Sequence, residues 1–310
     1  QARIGWIWKN KLLERDLRVG DIYRIPAGCA FYVSNTGEVE RLRLIGIMER
    51  AYKAGAHVMQ GDESQMAFIG GGYGNPTSVL SGFDQEILRS AFKVSVGEIK
   101  ELLSRQNSGP IVHSVTSEHK SLTEDWGKRY ILNKRIAIGA MMGWNKKKMD
   151  SFNILKKKPS FHNKYGWTKV VDGKDYAPLK HSDLNIFMVN LTKGTMLSPH
   201  WNPRATEIGI VTRGSGMVQI VYPNGSSTER IRVSQGDVFV VPQFYPMSQL
   251  SFGNESFEFL GFSSCSRGNQ PQFLAGGNSV LNKLNKDTAA LGFGVSSDYL
   301  SDFLAAQRDA

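Results

Sequence analysis

The sequence predicts a mainly β protein made of two copies of one unit, in which a strand-rich barrel is followed by a helical arm. A turn-and-strand motif occurs twice, as GDIYRIP over 20–26 and as GDVFVVP over 236–242. A second set of residues keeps one register, because Ser78, Phe92 and Gln106 each have an identical counterpart 201 positions later. Chance does not maintain such a register through a whole segment, so the chain is an internal duplication.

Short apolar runs bounded by glycine, proline and asparagine turns predict the strands of each barrel. In the first copy, the predicted strands are 4–8, 22–25, 31–33 and 41–47. In the second copy, they are 186–191, 207–212, 217–222, 230–233, 237–241 and 257–262. We expect the first barrel and its arm over residues 1–106, a basic linker over 107–150, and the second barrel and its arm over 151–310.

The first barrel is expected to lack its opening strands. Its strand over 1–8 aligns with 216–222 of the second copy, and nothing in the first copy matches the 151–213 segment that precedes that point. A barrel without these strands would expose unpaired edges and part of its core. The missing strands are therefore expected either to be lost or to be held by a companion fragment.

Each arm is predicted to be helical. Ser78 and Ser95 are suited to cap helices, and Asp84 opens another helix between them. Apolar residues recur at helical spacing after Ser95 in the first arm and after Ser296 in the second. Since the arms lie at the ends of the repeats, we expect their apolar faces to pack against neighbouring subunits.

Composition excludes several classes of protein. The 310-residue chain has no apolar run long enough to span a membrane. Its net charge of +10 comes partly from a solvated linker, where the basic residues are not interleaved with aromatic ones as a nucleic-acid interface would require. Cys29 and Cys265 occupy non-equivalent places in the two copies, so no disulfide is expected between them.

One motif in the second copy contains polar residues that could form a binding site. It comprises Gly194, His200, Asn202, Glu207 and Gly214, and the 236–242 motif follows it. This pattern resembles the paired motifs of the cupin superfamily, whose fold is a double-stranded β-helix or jelly-roll barrel. The resemblance implies two cupin barrels, each followed by a helical arm. In that family, two histidines and a glutamate from the first motif and a histidine from the second bind a metal.

The metal ligands of the family are largely replaced in this chain. Asn202 stands where the second histidine of the first motif would be, while Phe31 and Met247 stand at the second-motif position of the two barrels. His200 and Glu207 remain, but a catalytic metal needs three or four suitable donors. An oxidase or decarboxylase is therefore not expected. We predict no catalytic residue, no cofactor and no resident metal.

A narrower resemblance covers both copies. Segments such as FIGGG over 68–72, PTSVLSGF over 76–83, NKYGW over 163–167 and PHWNPRATE over 199–207 resemble the vicilin-type (7S) seed storage globulins. The resemblance implies a homotrimer joined through its helical arms, which reaches the protein storage vacuole by the secretory pathway as a nitrogen reserve. Some vicilins bind copper on a Cys-Pro-His stretch, and the corresponding turn here, Tyr222-Pro223-Asn224, lacks both donors.

Three interpretations of the remaining polar residues stay open. His200 and Glu207 can be inherited scaffold kept for packing, or can hold an adventitious metal. Alternatively, these residues form a pocket for a small anion, in which the Asn202 amide donates a hydrogen bond and Arg204 supplies positive charge. Phe31 and Met247 are expected to fill their barrels in each case.

The expected function is storage without enzymatic activity, and two alternatives remain. One is a metal-dependent enzyme with two cupin barrels, and the other is a small-ligand-binding protein with a role in defence. Three sequons, at Asn190, Asn224 and Asn254, permit glycosylation if the chain enters the secretory pathway, and the one in the turn at Asn224 is the best of them.

Overall fold

The computed structural model describes residues 1–37, 40–48, 66–112, 151–264 and 268–306. These belong to two compact units, the first formed by Gln1–Asp16 and Ile25–Lys146 and the second by Leu17–Arg24 and Lys147–Ala310. Most of the predicted linker, Cys265 and Gln307 lie outside the described residues. Among the helices that are described, none is long and apolar enough to cross a membrane.

Sixteen strands are described, most of them in the second unit. Their bounds are β1 Ala2–Trp8, β2 Lys11–Leu17, β3 Asp21–Ile22, β4 Phe31–Asn35, β5 Phe152–Asn153, β6 Phe161–Asn163, β7 Gly166–Val171, β8 Asn185–Leu191, β9 Met196–Trp201, β10 Glu207–Arg213, β11 Ser215–Val221, β12 Ser227–Ser234, β13 Val238–Val241, β14 Met247–Ser251, β15 Phe257–Ser263 and β16 Gln272–Phe273. The α-helices are α1 Gln85–Phe92, α2 Val96–Arg105, α3 Val280–Lys283, α4 Lys286–Phe293 and α5 Ser297–Ala305. Short 3-10 helices span Val79–Gly82, Ile154–Lys156 and Ala177–His181.

The first unit contains a three-stranded sheet in the order β2-β1-β4. Alternation along β1 buries Ile4 and Trp6 on one face, as the sequence predicts for a strand. On the opposite face, Gly5 pairs with Tyr32, and a Cβ atom at Gly5 would lie 2.4 Å from the tyrosine ring. A glycine is therefore required at this point for the ring to cross β1.

Two strand predictions in the first copy are wrong. The described residues 40–48 contain no strand, although 41–47 has a suitable apolar pattern, and the strand predicted over 22–25 is reduced to β3. A strand needs a hydrogen-bonded neighbour, which a local pattern cannot supply. Leu44 remains 62% exposed, consistent with a segment that has found no packed face.

The first arm follows the predicted caps. The Ser78 hydroxyl accepts a hydrogen bond from the Leu80 backbone N–H, and Asp84 caps α1 in the same way through Glu86. Ser95 and Glu98 form a reciprocal capping box at the start of α2. The two helices bury a small apolar cluster formed by Leu88, Ile99 and Leu103.

The second unit is a jelly-roll sandwich. One sheet has the order β13-β10-β15-β8-β7-β6 and the other the order β12-β11-β14-β9-β16, while β3 pairs with β5. The burial of β15 alternates along its whole length, so every second side chain enters the core. Both sheets contribute to one core cluster, which includes Phe257 and Phe259 from the first and Val218 and Met247 from the second. This arrangement is that of two sheets packed face to face.

The second arm repeats the first. Ser279, Asn285 and Ser296 cap α3, α4 and α5 respectively. Ala289, Ala290, Leu300 and Leu304 form the buried cluster of this arm. Ser95 and Ser296, which are 201 positions apart, both begin a helix, so the duplicated sequence register corresponds to duplicated structure.

Candidate functional site

His200 is held inside the second unit by strand β9. In the antiparallel ladders, it lies opposite Met247 of β14 on one side and Phe273 of β16 on the other. The imidazole is buried, and its ring centroid lies 5.1 Å from that of Phe273. Its Nδ1 is 2.7 Å from the carbonyl oxygen of Ser198, which can only accept a hydrogen bond, so Nδ1 carries the proton. Burial lowers the pKa of His200, which favours this neutral form.

Asn202 is buried at the end of the same strand. Its Oδ1 accepts a hydrogen bond of 2.9 Å from Nδ2 of Asn269, and its backbone carbonyl accepts one of 3.0 Å from the Phe244 N–H. Among the residues that the structure describes, Asn202 Nδ2 has no partner of hydrogen-bond geometry. A buried amide with unused donors is costly, and it is a place where water or a polar ligand binds favourably.

Glu207 faces the interior from the start of β10. The alternation of this strand places Glu207 on the same side as Gly209 and Val211, and Val241 of β13 lies directly opposite it. Burial raises the pKa of Glu207 to about 7, although interaction with the Asn202 amide lowers it. The Asn202 amide is thus turned towards this carboxyl group, although its Nδ2 makes no hydrogen bond of good geometry with the described residues. The carboxyl group therefore holds a proton in mildly acidic solution and loses it near neutrality.

Of the other predicted site residues, Met247 lies directly opposite His200 in the ladder of β9 and β14, whereas Arg204 is not among the buried residues and Phe31 belongs to the other compact unit. Arg204 is exposed, and its backbone N–H, rather than its guanidinium, is bound to Asn269 at 3.0 Å. Phe31 lies in the first unit and is 44% exposed, so the expectation that it fills a barrel is wrong for the described sheet. Within the described part of that unit, this three-stranded sheet is the only sheet. Met247 does fill the core of the second unit as expected.

The residues present do not fit the metal that the cupin motif implies. Of the four ligand positions, Asn202 and Met247 offer an amide and a thioether, and the Met247 sulfur already accepts a contact of 3.3 Å from Gln249 Nε2. Within the described ranges, no three His, Cys, Asp or Glu side chains are close enough to hold an ion together. A divalent ion bound by His200 and Glu207 would lack the third and fourth donors that such sites use.

Three further side chains contribute to this site, and the sequence motif does not predict them. Asn269 holds Asn202, Phe273 packs on His200, and Gln249 is fully buried with an Oε1 atom that has no partner among the described residues. Asn269 lies 67 positions after Asn202 in the sequence, and Phe273 is also far from His200 along the chain. Only the pairing of β9 with β16 brings Phe273 to His200.

An open apolar groove adjoins the site. Its volume is about 530 Å³, and its lining is aromatic and aliphatic, formed by Trp201, Pro223, Phe244, Pro246 and Leu274. Phe244 has a φ of 68°, a left-handed conformation that costs energy for a bulky residue. The hydrogen bond from its backbone to Asn202 links the groove to the buried polar residues.

Comparisons with known proteins agree with the motif. A family model described as Cupin matches residues 152–299. A vicilin-like seed storage protein of Arabidopsis thaliana is 38% identical over 351 residues, which cover 100% of this chain and 67% of that protein. The chain spans only 44% and 61% of the length of two further vicilin-like seed storage proteins of that plant.

Solved structures show the same fold. The vicilin of Corylus avellana has a TM-score of 0.76 and 25% sequence identity, with 100% of this chain and 79% of that one covered. The vicilin of Solanum melongena, in which different anionic ligands occupy structurally similar pockets, has a TM-score of 0.72 and 22% identity. That comparison covers 99% of this chain and 78% of the Solanum protein.

Proposed function

Because this chain belongs to the vicilin-like seed storage proteins of the cupin family, we propose that it serves as a nutrient reservoir of the seed and has no enzymatic activity. The observation that carries this proposal is the interior of the second unit. Two of the four positions that carry metal ligands in the family are Asn202 and Met247 in this chain. Buried side chains such as Phe257 and Val218 fill the core around Met247. A densely packed interior is suited to a protein that serves as a store of amino acids.

The proposal includes assembly as a homotrimer through the helical arms. Large apolar side chains on the second arm stay exposed, with Leu291 at 80%, Tyr299 at 62% and Phe303 at 57%. The first arm leaves Ile87 and Leu102 exposed in the same way. Apolar surface of this kind on paired helices is suited to a second copy of the chain, since burying it there removes it from water.

We extend the proposal to a companion segment and to a compartment. The sheet of the first unit has three described strands, compared with eleven in the two large sheets of the second, so a further strand-bearing segment is proposed to cover it. Its exposed Ile7 and Phe31, at 44% each, lie on opposite faces because Phe31 is paired with Trp6, so such a segment would bury the one on the face that it covers. By likeness to its storage relatives, the protein is proposed to reach the protein storage vacuole through the secretory pathway.

One set of measurements on the protein purified from seed tests storage against enzymatic function. We expect light scattering to give the mass of three protomers, metal analysis to find transition ions well below one per chain, and the protein to decline in amount during germination. A tightly held transition ion in each barrel, with turnover that disappears on chelation, would overturn the proposal. Intact-mass analysis of the same sample would reveal a companion fragment.

A second function is favoured by one observation, the buried Nδ2 atom of Asn202, which makes no hydrogen bond of good geometry with any described residue. Beside the Glu207 carboxyl group, this atom is proposed to bind a compact carboxylate, as the anion-binding Solanum relative suggests. Titration with acetate at pH 5.5 and at pH 8 tests this. We expect binding only at the lower pH, where Glu207 is protonated, and loss of binding in Asn202→Leu. Equal binding by that variant would contradict a site at Asn202.

A further inference from the structure

We infer that Asn224 is the N-glycosylation acceptor of this chain, whereas Asn190 is not modified. The inference rests on the proposed passage through the secretory pathway. The sequence contains three sequons, and its turn pattern favours the one at Asn224. The local structure around each asparagine separates them by exposure, by the contacts of the side-chain amide and by the space around it.

Asn224 lies at the tip of the hairpin between β11 and β12. The Gly225 N–H donates to the carbonyl oxygen of Tyr222 at 2.8 Å, and the Tyr222 N–H donates to that of Ser226 at 2.8 Å. Gly225 has a φ of 87°, which glycine adopts without strain. All the hydrogen bonds of this turn join near neighbours, so it can form from the local sequence before the sandwich is complete.

The side-chain amide of Asn224 is oriented by the hydroxyl-bearing residue of its own sequon. Its Oδ1 accepts a hydrogen bond from the Ser226 N–H at 3.0 Å and another from Ser226 Oγ at 2.7 Å. Asn224 and its neighbours in the turn are exposed. No described residue bonds to Asn224 Nδ2, so the nitrogen that would carry a glycan is open to solvent while the oxygen is held in place.

Asn190 is in the opposite situation. It lies in β8, in the middle of the six-stranded sheet, with Trp167 of β7 on one side and Glu258 of β15 on the other. Its Nδ2 donates to Glu258 Oε2 at 3.3 Å. A glycan on this nitrogen would break the contact and place a bulky hydrophilic group on the sheet face, against its cross-strand neighbours Trp167 and Glu258. The folded sandwich is therefore not compatible with modification here.

Asn254 is exposed, but the rest of its sequon is constrained. Glu255 forms an ion pair of 3.0 Å with Arg213. Ser256 is partly buried, and its carbonyl oxygen would lie 2.2 Å from a Cβ atom added at Gly214, so the loop packs closely against that glycine. No hydrogen bond between Asn254 and Ser256 is present among the described residues, in contrast to the pair at Asn224 and Ser226. We place Asn254 below Asn224 as an acceptor.

The modification is a group transfer from a lipid-linked oligosaccharide pyrophosphate. A bond forms between Asn224 Nδ2 and the anomeric carbon of the first sugar, while one N–H bond of the amide breaks and its proton passes to a base of the transferase. The bond from the anomeric carbon to the pyrophosphate oxygen breaks, and the lipid pyrophosphate leaves with the electron pair. The glycan would then stand beside Pro223, at the edge of the apolar groove.

The test expresses the full chain behind a cleavable signal peptide in a plant secretory host. A C-terminal tag with its own Asn-Ala-Thr acceptor reports entry into the pathway. We expect peptide mapping before and after enzymatic deglycosylation to find a glycan on Asn224, none on Asn190 and lower occupancy on Asn254. Asn224→Gln and Ser226→Ala should remove that glycan, whereas Ser226→Thr should retain it.

Two outcomes would overturn the inference: a glycosylated tag on a chain whose Asn224 is bare, or occupancy of Asn190 or Asn254 equal to that of Asn224. Circular dichroism of each variant checks that the fold is kept. The storage proposal fails separately, if the native protein is absent from storage vacuoles or does not decline in germination. A chain can thus be glycosylated at Asn224 and yet prove not to be a reserve.

Discussion

His200 and Met247 lie directly opposite each other in the antiparallel pair of β9 and β14. Both side chains are buried, so a thioether stands beside the imidazole where the cupin motif would supply another imidazole. A thioether contributes to packing and is a poor ligand for hard divalent ions. This pair thus explains in one contact why the interior of the second unit is suited to packing rather than to metal chemistry.

Restoring the two missing imidazoles should create metal affinity. We expect the double variant Asn202→His with Met247→His to bind Ni²⁺ about 10- to 100-fold more tightly than the native chain, because it offers three histidines and Glu207. Isothermal titration at pH 7.5 measures this. The matched control, Asn202→Leu with Met247→Leu, should show no gain. Native protein that already binds as tightly as the histidine variant would contradict our description of the site.

The stability of the second unit should decrease as the pH rises towards neutrality. The pKa of Glu207 is raised from its ordinary value of 4.5 to about 7 by burial, so the folded state holds this proton more tightly than the unfolded state does. The contribution is fully present below pH 4.5 and is lost as the pH rises to 7. Each pKa unit corresponds to about 1.4 kcal/mol, so the loss over the shift from 4.5 to about 7 is at most about 3.5 kcal/mol.

Substitution isolates this contribution from those of other titrating groups. We expect Glu207→Gln to remove about 2–3 kcal/mol of the difference between the unfolding free energies at pH 5 and pH 8, measured by urea denaturation. The exposed control Glu101→Gln should leave the difference unchanged. If the pH profiles of native protein and Glu207→Gln are parallel, the carboxyl group does not titrate as stated.

Charge on the exposed face of the second arm should prevent association. We expect Leu291→Lys with Phe303→Lys to convert the proposed trimer to single protomers at micromolar concentration, since burying two ammonium groups in an apolar contact is unfavourable. Sedimentation velocity gives the mass. Asp302→Lys is the matched control, because it adds a lysine to an exposed position of the same helix and should leave the trimer intact. Unchanged assembly of the double variant would exclude this face as the interface.

Loss of a helix cap should weaken the first arm by a measurable amount. Ser95→Ala removes the hydroxyl that accepts the Glu98 N–H, and such a substitution typically costs about 1 kcal/mol. Hydrogen exchange of the α2 amides should accelerate correspondingly. Ser104→Ala, at an exposed position within the same helix, serves as the control, and equal effects of the two substitutions would argue against a capping role for Ser95.

The features that the sequence by itself determined are those set by near neighbours. The caps at Ser78, Ser95 and Ser296 and the alternating strands of the second unit were predicted because each depends on residues a few positions apart. The duplication was visible because it is a repeat of the sequence itself. The replacement of metal ligands at Asn202 and Met247 was also visible, since donor chemistry belongs to the side chain itself.

Tertiary structure decided what depends on distant partners. The segment 41–47 has the pattern of a strand but no neighbouring strand to pair with among the described residues, and Phe31 stays 44% exposed in a unit whose described part contains a single sheet. The hold of Asn269 on Asn202 and the packing of Phe273 on His200 arise only when strands far apart in sequence are brought together. The apolar pattern of a sequence indicates which face of a strand or helix is suited to burial. Whether a residue is buried or hydrogen-bonded depends on the distant parts of the chain that the fold places next to that residue.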